Sequence, residues 1–235
     1  MAQPRKLHDR FFKLAKAEGY LARSAYKLKQ IQERRALLRS ADWVLDLGCA
    51  PGSWLQVASQ LVGSRGRVVG LDLKAVTHPM PPNVRAVVGD AVATPPAELL
   101  ARVRPDGPDS TARPDRRFDV LLSDMAPDTT GYGDDLLSAR LCDRVLDLAP
   151  ALLRPGGRLV MKIFEGERYP ELLRRAASMF VDARGYKPEA SRDVSREMYI
   201  IAEGLRADVA ADGPAPDQPP RARAGGPPPP GRGWS

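Results

Sequence analysis

Short β-rich runs that alternate with helical ones predict an α/β domain, a mostly parallel sheet with helices on both faces. Three observations carry that expectation: the alternation, a glycine-containing turn directly after the first strand-like run, and carboxylates at the ends of successive runs. Residues 20–39 come first, with Leu21, Ala25, Leu28 and Ile31 at helical spacing and cations between them, so an amphipathic helix docked on the domain is expected. Strand-like runs follow at 44–47, 67–73, 84–88, 118–123, 158–164 and 198–202, and helical patterns fill 53–62, 95–103, 135–153 and 169–180. A doubly covered parallel sheet binds ligands beyond the carboxyl ends of its strands, so chemistry should sit just after each run.

The chain of 235 residues, 43% hydrophobic, can bury one full core, which argues for one domain with extensions. The expected division is a basic arm at 1–19, a catalytic domain at 20–205 and a disordered tail at 206–235, where 13 of 30 residues are Pro or Gly. Residues 104–117, with Pro105, Pro108 and Pro114, read as an irregular loop. Cys49 and Cys142 belong to no Cys-x-x-Cys or Cys/His cluster, so neither a disulfide framework nor a zinc site is indicated. No signal-like start or membrane-length apolar run is present, and a cytoplasmic, monomeric protein is expected. The net charge of +7 is uneven: residues 1–40 carry +8, residues 41–205 carry −2 and the last thirty +1. A basic segment on a near-neutral domain suits a polyanion, because clustered cations release counterions from phosphates, although charge alone fits a solvated helix face equally well.

Asp46-Leu47-Gly48-Cys49-Ala50-Pro51-Gly52-Ser53-Trp54 follows the first strand and opens a helix. Glycine there lets backbone pass close to a ligand, and the helix start offers free N–H groups to a carboxylate or anion. The Gly-x-x-x-Gly spacing is neither the dinucleotide fingerprint nor a phosphate-binding P-loop, and a glycine turn joining strand to helix would look similar. Asp72 ends the second strand and Asp90 follows the third. Such acids can accept hydrogen bonds from a ribose diol and an adenine amino group, although each singly could be a helix cap. Together with the loop they favour an adenosine-containing ligand.

Asp124, in Ser123-Asp124-Met125-Ala126-Pro127, emerges at the same sheet edge as the loop. Lys162 interrupts Leu159-Val160-Met161-Lys162-Ile163-Phe164, where a central strand should be apolar on both faces. A lysine embedded beside a carboxylate is a candidate base, since desolvation lowers such a group from ~10.4 while the acid orients it. A structural ion pair is the competing reading. By themselves, Lys27 reads as a surface cation and Glu197 as an exposed edge-strand residue. His8 and His78, outside the motifs, read as solvated loop histidines.

The run from Asp9 to Leu205 resembles the FtsJ/RrmJ family of ribosomal RNA large-subunit 2'-O-methyltransferases. The resemblance rests on Arg23-Ser24-Ala25-Tyr26-Lys27-Leu28 with Ile31-Gln32, on Asp46-Leu47-Gly48 with Ala50-Pro51-Gly52-Ser53-Trp54, and on Ser123 to Pro127. It continues with Leu153 to Gly157, Lys162-Ile163-Phe164-Glu165-Gly166, Ser191-Arg192 and Ser195-Arg196-Glu197-Met198-Tyr199. It implies a Rossmann-like fold on a seven-stranded sheet, S-adenosyl-L-methionine as donor, and a uridine of 23S RNA, in the large (50S) subunit, as acceptor. The family's Lys-Asp-Lys-Glu tetrad falls on Lys27, Asp124, Lys162 and Glu197, and its donor-binding positions on Gly52, Trp54, Asp72, Asp90 and Asp124. Ser53 departs from the commoner glycine, and Asp128-Thr129-Thr130-Gly131 replaces an Asn-Met-Ser-Gly type of sequence beside the expected RNA entry. A transfer RNA or messenger-RNA cap target, or a non-catalytic ribosome-assembly module, are the competing expectations; the complete tetrad argues against the module.

Overall fold

The computed structural model describes residues 6–103, 117–127, 133–191 and 196–211. Almost all of the expected 104–117 loop, the 128–131 replacement, Arg192 and Ser195 of the last motif, and the tail beyond 211 lie outside the described residues.

Two helices, α1 (Lys6–Ala17) and α2 (Ala25–Arg35), precede β1 (Trp43–Leu47) and α3 (Ser53–Val62). Then come β2 (Arg67–Asp72), β3 (Val84–Val88), α4 (Pro96–Val103), β4 (Phe118–Ser123), α5 (Asp134–Leu152) and β5 (Leu153–Phe164). The described chain closes with α6 (Tyr169–Met179), β6 (Phe180–Tyr186), β7 (Glu197–Leu205) and α7 (Ala207–Ala211). The seven strands lie in the order β3-β2-β1-β4-β5-β7-β6, parallel except for β7, which runs antiparallel to both of its neighbours. The order reverses between β1 and β4, where Leu47 pairs with Ser123, so Gly48 and Asp124 leave the sheet side by side.

Every residue of β1 and β4 is buried, as expected of central parallel strands covered on both faces. One face packs Leu99, Val145, Leu146, Leu172 and Ala210 of α4 to α7 against Leu45, Leu121 and Met161. The other packs Leu28 and Ile31 of α2 and Leu55 and Val57 of α3 against Val44, Val120 and Val160. A third, smaller cluster joins Ala15 of α1 to Tyr26 and Ala190.

The structure departs from the sequence reading at four places. β6 was not expected, because Phe180-Val181-Asp182-Ala183-Arg184-Gly185-Tyr186 is an edge strand with charged residues and no apolar run. Residues 6–17 form a docked helix, on which His8 lies, so His8 is no loop residue; His78 is in an exposed loop as read. The helix expected at 20–39 is confined to α2: residues 19–24 bond to α3 side chains, and Ala36 in left-handed conformation ends it. At the other end, α7 packs on α5 and β5, extending the folded body past 205. Among the described residues no helix is long and apolar enough to cross a membrane.

At the amino edge of the sheet, Arg158 of β5 is buried and bonded through Nη2 to both carboxylate oxygens of Asp42 at 2.9 Å and through Nη1 to the Leu37 carbonyl. Asp42 Oδ2 also accepts the Arg39 N–H at 2.7 Å, so this carboxylate ties the α2–β1 connection to the sheet. Replacing Asp42 with Ala would leave a buried guanidinium without its anion and should cost about 3–5 kcal/mol in urea unfolding, with Asp42→Asn losing less.

Candidate active site

Lys162 is the fourth residue of the run in β5 that begins at Leu159, otherwise apolar, and its side chain faces the same side as Val160. Its residue is only 7% exposed. The ammonium finds its anion across the switch point: Nζ lies 3.0 Å from Asp124 Oδ1 and donates to the Asp124 carbonyl at 2.6 Å. Behind it the buried Cys142 thiol donates to the Lys162 carbonyl at 3.1 Å. A second pair forms between Lys27 Nζ of α2 and Glu197 Oε2 at 2.8 Å, with Lys27 4% exposed. The isolated readings of Lys27 as a surface cation and Glu197 as an exposed residue therefore do not describe the folded chain.

Strand β7 joins the two pairs. Glu197 and Tyr199 are alternate residues on it and share a face. Glu197 holds Lys27, and the Tyr199 hydroxyl donates to Asp124 Oδ1 at 3.0 Å. Burial, then the Asp124 and Glu197 charges, push the Tyr199 hydroxyl well above the usual phenol range, so it stays a donor. Its ring packs on Trp54 with centroids 5.9 Å apart. Tyr199 received no role from the sequence; its spacing of two from Glu197 in a strand was the available signal.

On the other side of Asp124 a cavity of about 550 Å³ opens, lined by Gly48, Ala50, Asp72, Asp90 and Asp124 among others. That size suits a small-molecule ligand. Gly48 has φ +78, and a Cβ there would lie 2.9 Å from the Met125 Cα, so only glycine lets the two loops pass. Asp72 holds the first loop in place: its Oδ2 accepts the Ala50 N–H at 2.9 Å and its Oδ1 the Lys74 N–H at 2.8 Å. Asp90 Oδ1 accepts the N–H groups of Val92 and Ala93 at 2.7 and 3.1 Å. Each carboxylate keeps lone pairs for a ligand while fixing its own turn. Leu73, Val92 and Leu137, exposed at 70%, 51% and 42%, add apolar wall that the sequence reading did not anticipate.

Gly52 and Trp54 do not line this cavity. Trp54 is buried, with its indole N–H donating to the Ser24 carbonyl at 2.9 Å. Gly52, at φ +114, caps α3. The structure therefore does not bring these two expected positions into the cavity lining.

The model of the FtsJ-like methyltransferase family matches residues 20–205. The chain is 44% identical to the ribosomal RNA large subunit methyltransferase E of Desulfatibacillum aliphaticivorans, over 82% of this chain and 88% of that one. It is 43% identical to the protein of the same name from Syntrophobacter fumaroxidans, over 85% and 97%. Among solved structures, a ribosomal RNA methyltransferase from Plasmodium falciparum superposes with a TM-score of 0.67 at 25% identity, covering 79% of this chain and 98% of that one.

Beneath the loop, Asp46 of β1 is fully buried, and neither carboxyl oxygen has a hydrogen-bond partner among the described residues. Burial first, then the negative charges of Asp124 and Asp72, push its carboxyl well above the usual range. Unfolded, the same group ionises near pH ~4. Above that pH the folded chain keeps a proton that the unfolded chain releases, so Asp46 lowers stability progressively as pH rises toward its folded value. Asp46→Asn removes the titration: its stability relative to the parent, measured by urea unfolding, should shift in its favour from pH 4 to pH 8. A difference independent of pH would sink this assignment.

Proposed function

The chain belongs to the FtsJ-like methyltransferase family, and on that premise we propose that it moves the methyl group of S-adenosyl-L-methionine to the 2'-hydroxyl of a uridine ribose in 23S RNA of the large ribosomal subunit. Asp124 is the observation that carries this reading. It lines the cavity and also receives Lys162 and Tyr199, so the place of a bound donor and the place of a base share one residue. The names of the 44% and 43% identical relatives supply the acceptor, large-subunit ribosomal RNA.

The cavity fits the donor chemically. Asp72 and Asp90 offer lone pairs to a ribose diol and an adenine amino group, and Leu73, Val92 and Leu137 offer apolar contact to the base. When bound, the donor supplies an electrophilic methyl on a sulfonium that departs as a neutral thioether. Lys162, once its ammonium has passed one proton to solvent, receives the 2'-hydroxyl proton as the ribose oxygen gains the methyl carbon, and Asp124, itself held by Tyr199, keeps Lys162 in line. The Lys27–Glu197 pair places a cation beside the acceptor oxygen. Residues 20–205 form the catalytic domain, and α1, exposing Arg10 and Lys16, extends it as an RNA-binding arm.

Labelled methyl transfer to unmodified large subunits, with naked 23S RNA and transfer RNA in parallel, tests the reaction. Label is expected in ribose of the large-subunit RNA, and Lys162→Ala should lose about a hundred- to ten-thousandfold in rate. Label in transfer RNA alone would overturn the acceptor, and full activity in the variant would overturn the base. Arg10→Ala with Lys16→Ala should weaken RNA binding and flatten its dependence on salt by about one unit of log–log slope per lost phosphate contact; an unchanged slope removes the arm from RNA binding.

A further inference from the structure

The helix that carries Lys27 is fastened to the helix that begins at the donor loop, and the fastening is made by Ser24 and Ser53. The Ser24 carbonyl accepts two hydrogen bonds, from the Lys27 N–H at 3.0 Å and from the Trp54 indole N–H at 2.9 Å. Its hydroxyl lies 2.8 Å from the Ser53 hydroxyl, which is almost fully buried. Ser24 occupies the N-cap of α2, the place where a serine hydroxyl ordinarily bonds to its own helix, yet it makes no such bond. The hydroxyl is used between helices instead.

The segment ahead of Ser24 is bound to the same face of α3. Gln56 accepts the Leu21 N–H at 2.9 Å and donates to the Gly19 carbonyl at 3.1 Å, and the Tyr20 hydroxyl donates to Gln60 at 2.7 Å. Residues 53, 56 and 60 recur at helical spacing, so one stripe of α3 holds residues 19–24. The amino end of that stripe adjoins the loop that Asp72 pins at Ala50. An unbroken path of bonded groups therefore runs from the donor cavity through Ser53 and Trp54 to Ser24 and the Lys27 backbone, and thence to Glu197.

We infer that Ser24 and Ser53 form a clamp that sets Lys27 against the donor loop, so that filling the donor cavity further restrains the Lys27–Glu197 pair already formed on the acceptor side. The inference rests on the donor and acceptor assignments made above. Both serines are positioning residues, since neither lines the cavity nor belongs to the two ion pairs.

The test compares the parent with Ser24→Ala, Ser53→Ala and the double variant. Amide hydrogen exchange over residues 24–28 is read with and without S-adenosylhomocysteine, which binds like the donor but transfers nothing. In the parent the demethylated donor should slow exchange at Lys27, and in all three variants that added protection should vanish. Each single variant should lose roughly fivefold in kcat, the double no more than either, and affinity for S-adenosylhomocysteine should stay within about twofold, as for one shared neutral hydrogen bond. Protection that persists in the single variants, is absent in the parent, or comes with unchanged kcat overturns the clamp. A parent that binds S-adenosylhomocysteine and shows protection but methylates no RNA would overturn the proposed reaction while leaving the exchange result to decide the clamp.

Discussion

A lysine held at 7% exposure on a central strand must have an anion within reach, because an uncompensated buried charge costs several kcal/mol. Much of the carboxyl edge of this sheet is arranged around that requirement. Asp124 can serve Lys162 because β4 and β5 are parallel neighbours with Ser123 opposite Met161. It can also receive Tyr199 because β7 runs antiparallel beside β5 and places Tyr199 opposite Lys162. The same strand brings Glu197 to Lys27, so a second buried lysine is neutralised by the element that completes the first pair.

The cavity beside Asp124 follows another economy. Its carboxylates do not wait unbonded for a ligand: Asp72 and Asp90 already hold the backbone of the loops that form the walls. Preorganisation of this kind means that the walls of the cavity themselves need little reordering when a ligand enters. Asp46 is the exception, a buried acid with no hydrogen-bond partner, and its site is tolerated because protonation removes the charge.

The α/β class and the strand-end placement of chemistry were legible because central strands are apolar runs and because Asp72, Asp90 and Asp124 stand just after them. Lys162 was legible as an anomaly within an apolar strand. Lys27 and Glu197 were not, since nothing local tells a buried ion pair 170 residues apart from two solvated charges; only the family resemblance picked them out. β6 escaped because an edge strand needs no apolar run, and the role of Tyr199 because it depends on register across β5 and β7. The bonds of residues 19–24 to α3, which shortened the expected helix, are tertiary and leave no periodic trace.

The strand order carries a consequence for how the molecule comes into being on its own ribosome. β7 leaves the exit tunnel after β6, yet it lies between β5 and β6, and among the described residues β6 pairs with no other strand. β6 can therefore join the sheet only with β7 or after it. That one strand supplies Glu197 and Tyr199 together. A chain that stops short of β7 lacks the last two strands of the sheet together with both Glu197 and Tyr199, so the far edge of the sheet and these two side chains arrive in the same step.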